Sequence, residues 1–525
     1  MTLTATFFRR TGQIILCIIF LFAVEGVNSA SPRTIVFISD LHMGLGKDAN
    51  GSWYKTEDFR WPVAFEGFLK HISQPGNAAV DLVIVGDFLE LWQPPTGVTC
   101  KGPNGDYGCS LEEMTVIAGA VLKAHSRELA ALAAFSRKGT NRTNCVHVIP
   151  GNHDAALVLD NIWAMVADSL ESDTSCINRV KDGTWKSEKG RVVAEHGHQI
   201  GWDPNRYEEW PTVSKQVNGV TYLERPWGEQ FVQKIFNDEE ESYPLIDNLS
   251  PLSAGTKYRM GDRGVFATVF DFFRFVKFNL LETSVRQKIA FLGETDNNDL
   301  PKWDTNKARD LGSALFAGAF AKDDPLAAML SVSDKTNLEQ ALRGLAQDRQ
   351  KLPDNAVLAL CDQIAVRKAK PQCPTTTSKK LGSAVEKLLW SRERVVGPYV
   401  KGRWEDLPNM RVFVYGHTHA FEKEWPVEIS SRVKVSVLND GAFQRIIDDE
   451  KFRAIARSKK LSSLGKGLRM LQLEELPACY TFVSITESPT GGLNQSLQAW
   501  YMEEKSVGQV VDVCDSRCPS VGRGC

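Results

Sequence analysis

Short runs of consecutive apolar residues recur in the two outer parts of the chain, and each run stops at a glycine, a proline or a polar residue. Apolar runs of this length predict β-strands that are buried on both faces. They lie at residues 34–39, 81–85, 146–149, 192–195, 412–415, 433–438, 479–486 and 497–502. Residues 111–137 are instead rich in Ala, Leu and Glu, which predicts a helical stretch. Strands that alternate with helices indicate a layered α/β fold.

The middle of the chain has a different pattern, with apolar residues at helical spacing and few strand-like runs. Its helical segments lie at residues 266–292, 307–320, 337–350 and 378–396. We therefore predict a core in two parts, residues 31–209 and 405–505, a mostly helical insertion, residues 210–404, and a cysteine-containing tail, residues 506–525. An insertion of this kind can cap a site on the core and select substrates by size.

The N-terminus has the composition of a targeting segment. Arg9 and Arg10 precede an apolar run at residues 14–24, and small or polar residues follow at 26–31. This order predicts a secretory signal peptide at residues 1–30. The run has 11 residues, whereas a bilayer core needs about 20. We therefore expect a secreted or periplasmic protein with no stable membrane span once the signal is removed.

The cysteines agree with export. The chain has 11 of them, and Cys17 lies in the predicted signal peptide, which leaves an even number. An even number in an exported chain predicts disulfides. Cys100 and Cys109 bracket a glycine-rich loop that a disulfide could close. Because no pair has CxxC spacing, a thiolate zinc site is not expected.

Composition and charge exclude several classes of protein. With 43% hydrophobic and 24% charged residues, the chain of 525 residues is neither wholly disordered nor a polytopic membrane protein. Its net charge of −2 gives no general electrostatic attraction to nucleic acid, so no nucleic-acid partner is expected.

Six of the nine histidines fall in four short clusters, and each cluster directly follows a predicted strand. The clusters are Asp40-Leu41-His42, Gly151-Asn152-His153-Asp154, His196-Gly197-His198 and Gly416-His417-Thr418-His419. A further strand ends in Gly86-Asp87, with Glu90 just beyond. Side chains at the carboxyl ends of neighbouring strands meet above the sheet. Asp, Asn and His supply the oxygen and nitrogen donors that suit Mn, Fe or Zn.

Each of these clusters has an ordinary explanation when it is taken alone. An Asp-x-His pair in a loop is usually solvated, and Gly-Asp after a strand is usually a turn. Five such clusters in order, all at strand ends, favour one shared site.

The ordered set SDLHMG, GDFLELW, GNHD, EHGH and GHTH resembles the calcineurin-like metallophosphoesterase family. The resemblance covers about residues 33–205 and 406–445. In motif style it is nearest to the UDP-2,3-diacylglucosamine pyrophosphatase branch. That branch has Arg at the position of His153 and works in the cytoplasm, so we carry over the superfamily chemistry and not the lipid substrate. The resemblance implies a four-layer α/β sandwich, two mixed β-sheets flanked by helices, with a two-metal site at its rim.

The resemblance also implies roles for individual residues. One divalent ion would bind Asp40, His42 and His419, the other would bind Asn152, His196 and His417, and Asp87 would bridge the two. Two such ions (Mn, Fe or Zn) share a hydroxide that is nucleophilic near neutral pH. They also neutralise charge that develops on a phosphorus centre.

His153 would stabilise the transition state or protonate the leaving oxygen, and Asp154 would orient its imidazole. His198, Glu90 and Arg206 are expected to support the ligands or face the substrate. The sequence thus predicts an exported hydrolase of a small-molecule phosphomonoester, phosphodiester or pyrophosphate. The alternative is a non-catalytic, metal-binding interaction protein on the same scaffold. The presence of every ligand and of His153 favours the enzyme.

Overall fold

A computed structural model describes residues 33–74, 78–138, 143–201, 203, 205–233, 237–250, 258, 392–488, 491–503 and 506–525. The predicted signal peptide and nearly all of the four predicted insertion helices lie outside these residues. The signal peptide and the boundaries of the insertion therefore stay predictions.

The strands of the described residues can be given in chain order. They are β1 (Thr34–Ile38), β2 (Val80–Val85), β3 (Tyr107–Ser110), β4 (Cys145–Ile149), β5 (Ile177–Arg179), β6 (Trp185–Lys186), β7 (Val192–Ala194), β8 (Ser214–Val217), β9 (Val220–Glu224), β10 (Leu249–Ser250), β11 (Val412–Tyr415), β12 (Phe421–Glu428), β13 (Lys434–Asn439), β14 (Ile447–Asp448), β15 (Cys479–Glu487), β16 (Leu493–Tyr501), β17 (Gln509–Asp512) and β18 (Gly522–Arg523).

The α-helices of the same residues are α1 (Pro62–Ile72), α2 (Leu111–Ala124), α3 (Ser126–Ser136), α4 (Asp160–Ser169), α5 (Trp227–Phe231), α6 (Asn237–Ser242), α7 (Gly397–Asp406), α8 (Asp449–Ser458) and α9 (Leu464–Met470). The predicted strands are confirmed to within a few residues.

Two large mixed sheets form the centre of the fold. The first has the order β17-β16-β15-β1-β2-β4-β5, and the second has the order β18-β12-β13-β11-β7-β6. In the first sheet β1, β2, β4 and β5 run parallel, while β15 joins β1 antiparallel. In the second sheet β11 runs parallel to both β7 and β13. The parallel strands therefore point their carboxyl ends toward one edge of each sheet.

The side chains of β1 show how the layers stack. Phe37 is buried among residues of both sheets, such as Val412 on β11. Val36 and Ile38 face the other way and pack in the cluster that contains α1 to α4. The outer face of the second sheet is buried against residues 395–400. The order helix, sheet, sheet, helix confirms the predicted α/β sandwich. Strands buried on both faces explain why the sequence shows continuous apolar runs.

The predicted helical stretch at residues 111–137 is confirmed, and it consists of two helices, α2 and α3. Ser110 begins α2 with a capping box, in which Glu113 N–H donates to the Ser110 hydroxyl and Ser110 N–H donates to the Glu113 carboxylate. The break falls at His125, whose backbone leaves helical geometry at φ −106° and ψ 26°. The His125 ring is buried between the carboxylates of Glu57 and Glu128, at 3.4 and 3.5 Å.

The start of the predicted insertion is not helical. Strands β8 and β9 form a hairpin, and β9 pairs with β3 of the core to make a three-stranded sheet. The described part of the chain contains four disulfides, Cys100–Cys109, Cys145–Cys176, Cys479–Cys518 and Cys514–Cys525. The first closes the loop that the sequence suggested, and the last two anchor the tail. Disulfides support an oxidising compartment. Among the described residues, no helix is long and apolar enough to cross a membrane.

Candidate metal centre

The histidine and carboxylate motifs meet at the carboxyl ends of the parallel strands. Asp40 follows β1, Asp87 follows β2 and Asn152 follows β4 of the first sheet. His196 follows β7 and His417 follows β11 of the second sheet. All are nearly inaccessible to solvent except His417, which is half-buried. Residues distant in the sequence thus form one polar cluster at the rim of the sandwich.

The loops that carry these side chains have an unusual backbone conformation. The candidate ligands with positive φ are Asp40 (52°), His42 (47°), Asp87 (47°), His417 (70°) and His419 (55°). Residues other than glycine rarely adopt this region, and such strain gathers at functional sites. The loop after β1 is hydrogen-bonded to the loop after β2. Asp40 N–H donates to Gly86 O (3.1 Å), and His42 N–H donates to Asp87 O (3.0 Å).

The glycines of two motifs are required by close approach. A Cβ atom at Gly86, whose φ is +87°, would lie 2.3 Å from Nδ1 of His196. A Cβ atom at Gly151 would lie 2.2 Å from Oδ1 of Asp87. Any side chain at these positions would displace a candidate ligand carried by another strand.

The first group of candidate ligands is Asp40, His42 and His419. His42 Nε2 lies 3.2 Å from His419 Nε2, and His419 Nε2 lies 3.4 Å from Asp40 Oδ1. Asp40 Oδ1 is buried and accepts no well-formed hydrogen bond from the described residues. Its other oxygen accepts from His417 N–H at 2.9 Å. One carboxylate oxygen is therefore left for a cation, beside two imidazole nitrogens.

The second group is Asp87, His196 and His417, with Asn152 beside it. His196 Nε2 lies 3.0 Å from Asp87 Oδ2, 3.0 Å from Asn152 Oδ1 and 3.2 Å from His417 Nδ1. His196 Nδ1 donates to the buried Val85 carbonyl at 2.7 Å. That bond fixes the tautomer and leaves Nε2 as an electron-pair donor.

Asp87 lies between the two groups. Its Oδ2 is 3.0 Å from His196 Nε2 and 3.7 Å from His42 Nε2, so one oxygen faces a histidine of each group. Its Oδ1 accepts from His153 N–H at 2.9 Å. Burial pushes the pKa of Asp87 up, but His196 and His153 outweigh it and hold that pKa well below its usual range. Asp87 therefore carries a negative charge at neutral pH.

These contacts fit divalent cations. Ring nitrogens that face one another at 3.2 Å place two electron pairs together unless a proton or a cation lies between them. Carboxylate, amide and imidazole donors converge here, and this set of donors suits Mn, Fe or Zn. Asp87 also raises the pKa of His196 to about 10 despite its burial, and a cation at Nε2 would replace that proton.

His153 stands beside the two groups and is more accessible than most of them. Its side chain is 18% exposed, against 5% for His42. Trp92 stacks on its ring at a centroid distance of 4.0 Å. Its Nδ1 lies 2.6 Å from Glu90 Oε2. Burial lowers the pKa of His153, but Glu90 and Asp87 raise it to about 9. The protonated imidazole is therefore favoured at neutral pH.

Asp154, which the sequence predicts to orient His153, contacts backbone N–H groups of two loops. Its Oδ1 accepts from Gly151 N–H (2.6 Å), and its Oδ2 accepts from Phe88 N–H (2.9 Å) and Leu89 N–H (3.2 Å). Asp154 therefore ties the loop after β4 to the loop after β2, and Glu90 is the residue that orients His153. The sequence placed the carboxylate next to the histidine in the chain, whereas the fold supplies it from another loop.

Glu90 contacts two functional histidines at once. Its Oε2 also lies 3.0 Å from His42 Nδ1, and its Oε1 accepts from Trp92 N–H at 2.8 Å. Burial raises the pKa of Glu90, but His153 and His42 lower it to about 2. A charged carboxylate is therefore shared between a candidate ligand and the candidate proton donor.

Replacing Glu90 by glutamine is expected to lower metal affinity or turnover by about 10–100-fold, the usual effect of losing a residue that orients a ligand. Metal content per chain and kcat are the measurements. The exposed Glu188 gives a matched control, Glu188→Gln. Unchanged kcat and metal content in Glu90→Gln would contradict the orienting role.

The other predicted supporting residues differ in position. His198 is buried with its ring 4.5 Å from that of Trp210, and burial lowers its pKa well below the usual value. Arg206 is exposed, and its guanidinium donates to Gly201 O at 2.9 Å. Asp203 Oδ2 lies 3.0 Å from His417 Nε2. Asp203 therefore contacts Nε2 of His417, while Nδ1 of His417 faces the second ligand group.

Sequence reasoning missed two buried residues that hold the loops in place. Ser39 donates from its hydroxyl to Asp440 Oδ1 at 2.7 Å, which joins the loop after β1 to the turn after β13. Glu57 accepts from the N–H groups of Gly44 (3.3 Å) and Gly46 (2.5 Å), just after the Asp40 motif. No local pattern marks either residue, because each acts through backbone groups or a distant side chain.

Comparison with known proteins gives one family match. Residues 33–277 match the family model described as calcineurin-like phosphoesterase. This match confirms the resemblance drawn from the motifs over those residues. The matched range contains every motif except Gly416–His419, which the fold brings to the same site. No curated protein and no solved structure matches the chain. The family and the ligand groups together support a metal-dependent phosphoesterase.

Proposed function

We propose that this protein is an exported, dinuclear-metal phosphoesterase that hydrolyses a phosphomonoester, phosphodiester or pyrophosphate bond of a small molecule. The observation that carries the proposal is the position of Asp87, whose Oδ2 faces His196 of one ligand group and His42 of the other. A single bridging carboxylate between two such groups is typical of a site for two cations.

The proposed ligands form two sets, which correspond to the two groups of side chains described above. Asp40, His42 and His419 would hold one ion, and Asn152, His196 and His417 would hold the other. When bound, the two ions supply Lewis acidity that activates water and neutralises charge on the phosphorus centre. We leave the identity of the metals open among Mn, Fe and Zn, because the donor set suits all three.

The protein's own residues account for the other steps. His153, held by Glu90 and stacked on Trp92, would donate a proton from its imidazole to the leaving oxygen. Glu90 keeps that imidazole protonated and oriented, and Asp203 fixes the tautomer of His417. Asp154 and Glu57 hold the loops rigid, so the ligands need no rearrangement when substrate binds.

A substrate panel tests the proposal. Full-length protein with added Mn²⁺ is assayed on p-nitrophenyl phosphate, bis-p-nitrophenyl phosphate and a nucleoside diphosphate derivative with a pyrophosphate bond. We expect hydrolysis of at least one, its loss on chelation and its return with Mn²⁺. Two bound ions per chain without turnover of any compound would instead support the non-catalytic interaction protein.

A further inference from the structure

A second polar cluster lies outside the histidine site and consists of three carboxylates. Asp58, Glu240 and Asp247 each offer an oxygen, and these atoms lie within 4.8 Å of one another. Asp58 is 6% exposed and Glu240 is 1% exposed. Burying three carboxylates together is costly unless a cation or protons compensate their charge. No part of the proposed hydrolysis uses them.

A neutral amide borders the cluster. Gln93 is 6% exposed, and its Nε2 donates to Glu240 Oε2 at 3.0 Å. Gln93 Oε1, Glu240 Oε1 and Asp247 Oδ1 are buried and accept no hydrogen bond within the described part of the chain. Such buried acceptors need a partner.

We propose that Asp58, Glu240, Asp247 and Gln93 form a binding site for Ca²⁺, separate from the dinuclear centre. The donors are all oxygen, which selects hard cations over Zn²⁺. Carboxylates that bind through one or both oxygens suit the flexible, six- to eight-coordinate shell of Ca²⁺ better than the strict octahedron of Mg²⁺. Three carboxylates with one divalent ion would carry a net charge of −1, against −3 without the ion.

The ion would join three segments that are far apart in the sequence. Asp58 precedes α1, Glu240 lies in α6, and Gln93 directly follows Trp92, which stacks on His153. Asn237 at the start of α6 also donates to Trp92 O at 3.4 Å. Ca²⁺ would therefore hold α6 against the loop that forms one wall of the candidate active site. The inference does not depend on phosphoesterase activity, because it concerns binding alone.

The rival occupant is a proton. Burial raises the pKa of Glu240 well above its usual value, and the neighbouring Asp247 and Asp58 raise it further. A shared proton between two carboxylates would satisfy part of the cluster without any metal. The two occupants differ in one measurable respect, since only the cation site responds to added Ca²⁺.

Calorimetric titration of Ca²⁺ into the full-length protein, preloaded with Mn²⁺ to fill the histidine site, separates these outcomes. We expect one Ca²⁺ per chain with a dissociation constant on the order of 10⁻⁴–10⁻³ M, as for extracellular calcium sites. Glu240→Gln should weaken binding by at least about tenfold, since it removes one charged ligand. Asp58→Asn is the second variant should the first fail to fold. The exposed neighbour Glu241 gives the matched control, Glu241→Gln, which should bind Ca²⁺ like the wild type.

Three results would overturn the site. They are no Ca²⁺ binding by the wild type, equal binding by Glu240→Gln and wild type, and binding of Mg²⁺ in place of Ca²⁺. A Glu240→Gln variant with a higher Tm than the wild type and no response to Ca²⁺ would identify a shared proton instead. If phosphatase assays fail while this site binds Ca²⁺, the proposed function fails alone.

Discussion

Asp87→Ala is expected to abolish phosphoester hydrolysis and to lower the metal content from two ions per chain. Asp87 is the residue that faces both ligand groups, with Oδ2 at 3.0 Å from His196 Nε2 and 3.7 Å from His42 Nε2. Its removal deletes a bridging charge and also leaves His153 N–H without its acceptor. The variant should therefore bind the ions more weakly, and His153 should be held less firmly in position. Metal analysis of dialysed protein and the most active assay of the substrate panel are the measurements.

A matched control keeps this result specific. Asp173 is exposed and lies far from the rim of the sandwich in the turn that precedes β5. Asp173→Asn should retain two ions and full activity. Circular dichroism establishes whether Asp87→Ala is folded. A folded variant that kept both ions and its turnover would contradict the bridging role of Asp87.

His153→Ala is expected to retain both ions and to lose about 10²–10⁴-fold in kcat, the usual contribution of a positioned proton donor. The imidazole is protonated at neutral pH because Glu90 and Asp87 raise its pKa to about 9 against the effect of burial. Its side chain is partly exposed, so a leaving group can reach it. Since His153 is not among the proposed metal ligands, metal content should match that of the wild type.

The leaving group gives this prediction a sharper form. A p-nitrophenolate leaves readily without a proton, whereas an alkyl alkoxide does not. The loss of kcat in His153→Ala should therefore be larger for an alkyl phosphate than for p-nitrophenyl phosphate. His71→Ala is the control, because His71 lies on α1 against Trp500 and away from the site. Equal losses for both leaving groups would point to charge stabilisation in place of proton donation. A loss of metal would instead make His153 a ligand.

The strands and motifs could be predicted from the sequence for a clear physical reason. A strand buried between two layers must be apolar on both faces, so β1, β2 and β11 appear as continuous runs. Ligands at strand ends must be Asp, Asn or His at a turn, and such short motifs recur with fixed local spacing. The sequence therefore predicted the resemblance to the phosphoesterase family, the sandwich and the residues that converge at its rim.

The helix boundaries, and the contacts that orient the candidate ligands, could not be predicted in this way. At the break between α2 and α3, His125 lies 3.4 Å from Glu57, a residue from a distant part of the chain. Glu90, and not the adjacent Asp154, orients His153, because the loop after β2 passes over the imidazole. The carboxylate cluster of Asp58, Glu240 and Asp247 has no sequence signal at all, since its members share no motif.

The sequence by itself determined which elements form and which side chains can bind metal, because burial and ligand chemistry act on each residue type locally. Only the tertiary structure decided which carboxylate meets which histidine and where acidic residues gather. Those contacts depend on how loops from separate strands pack together, and no local pattern of residues records that packing.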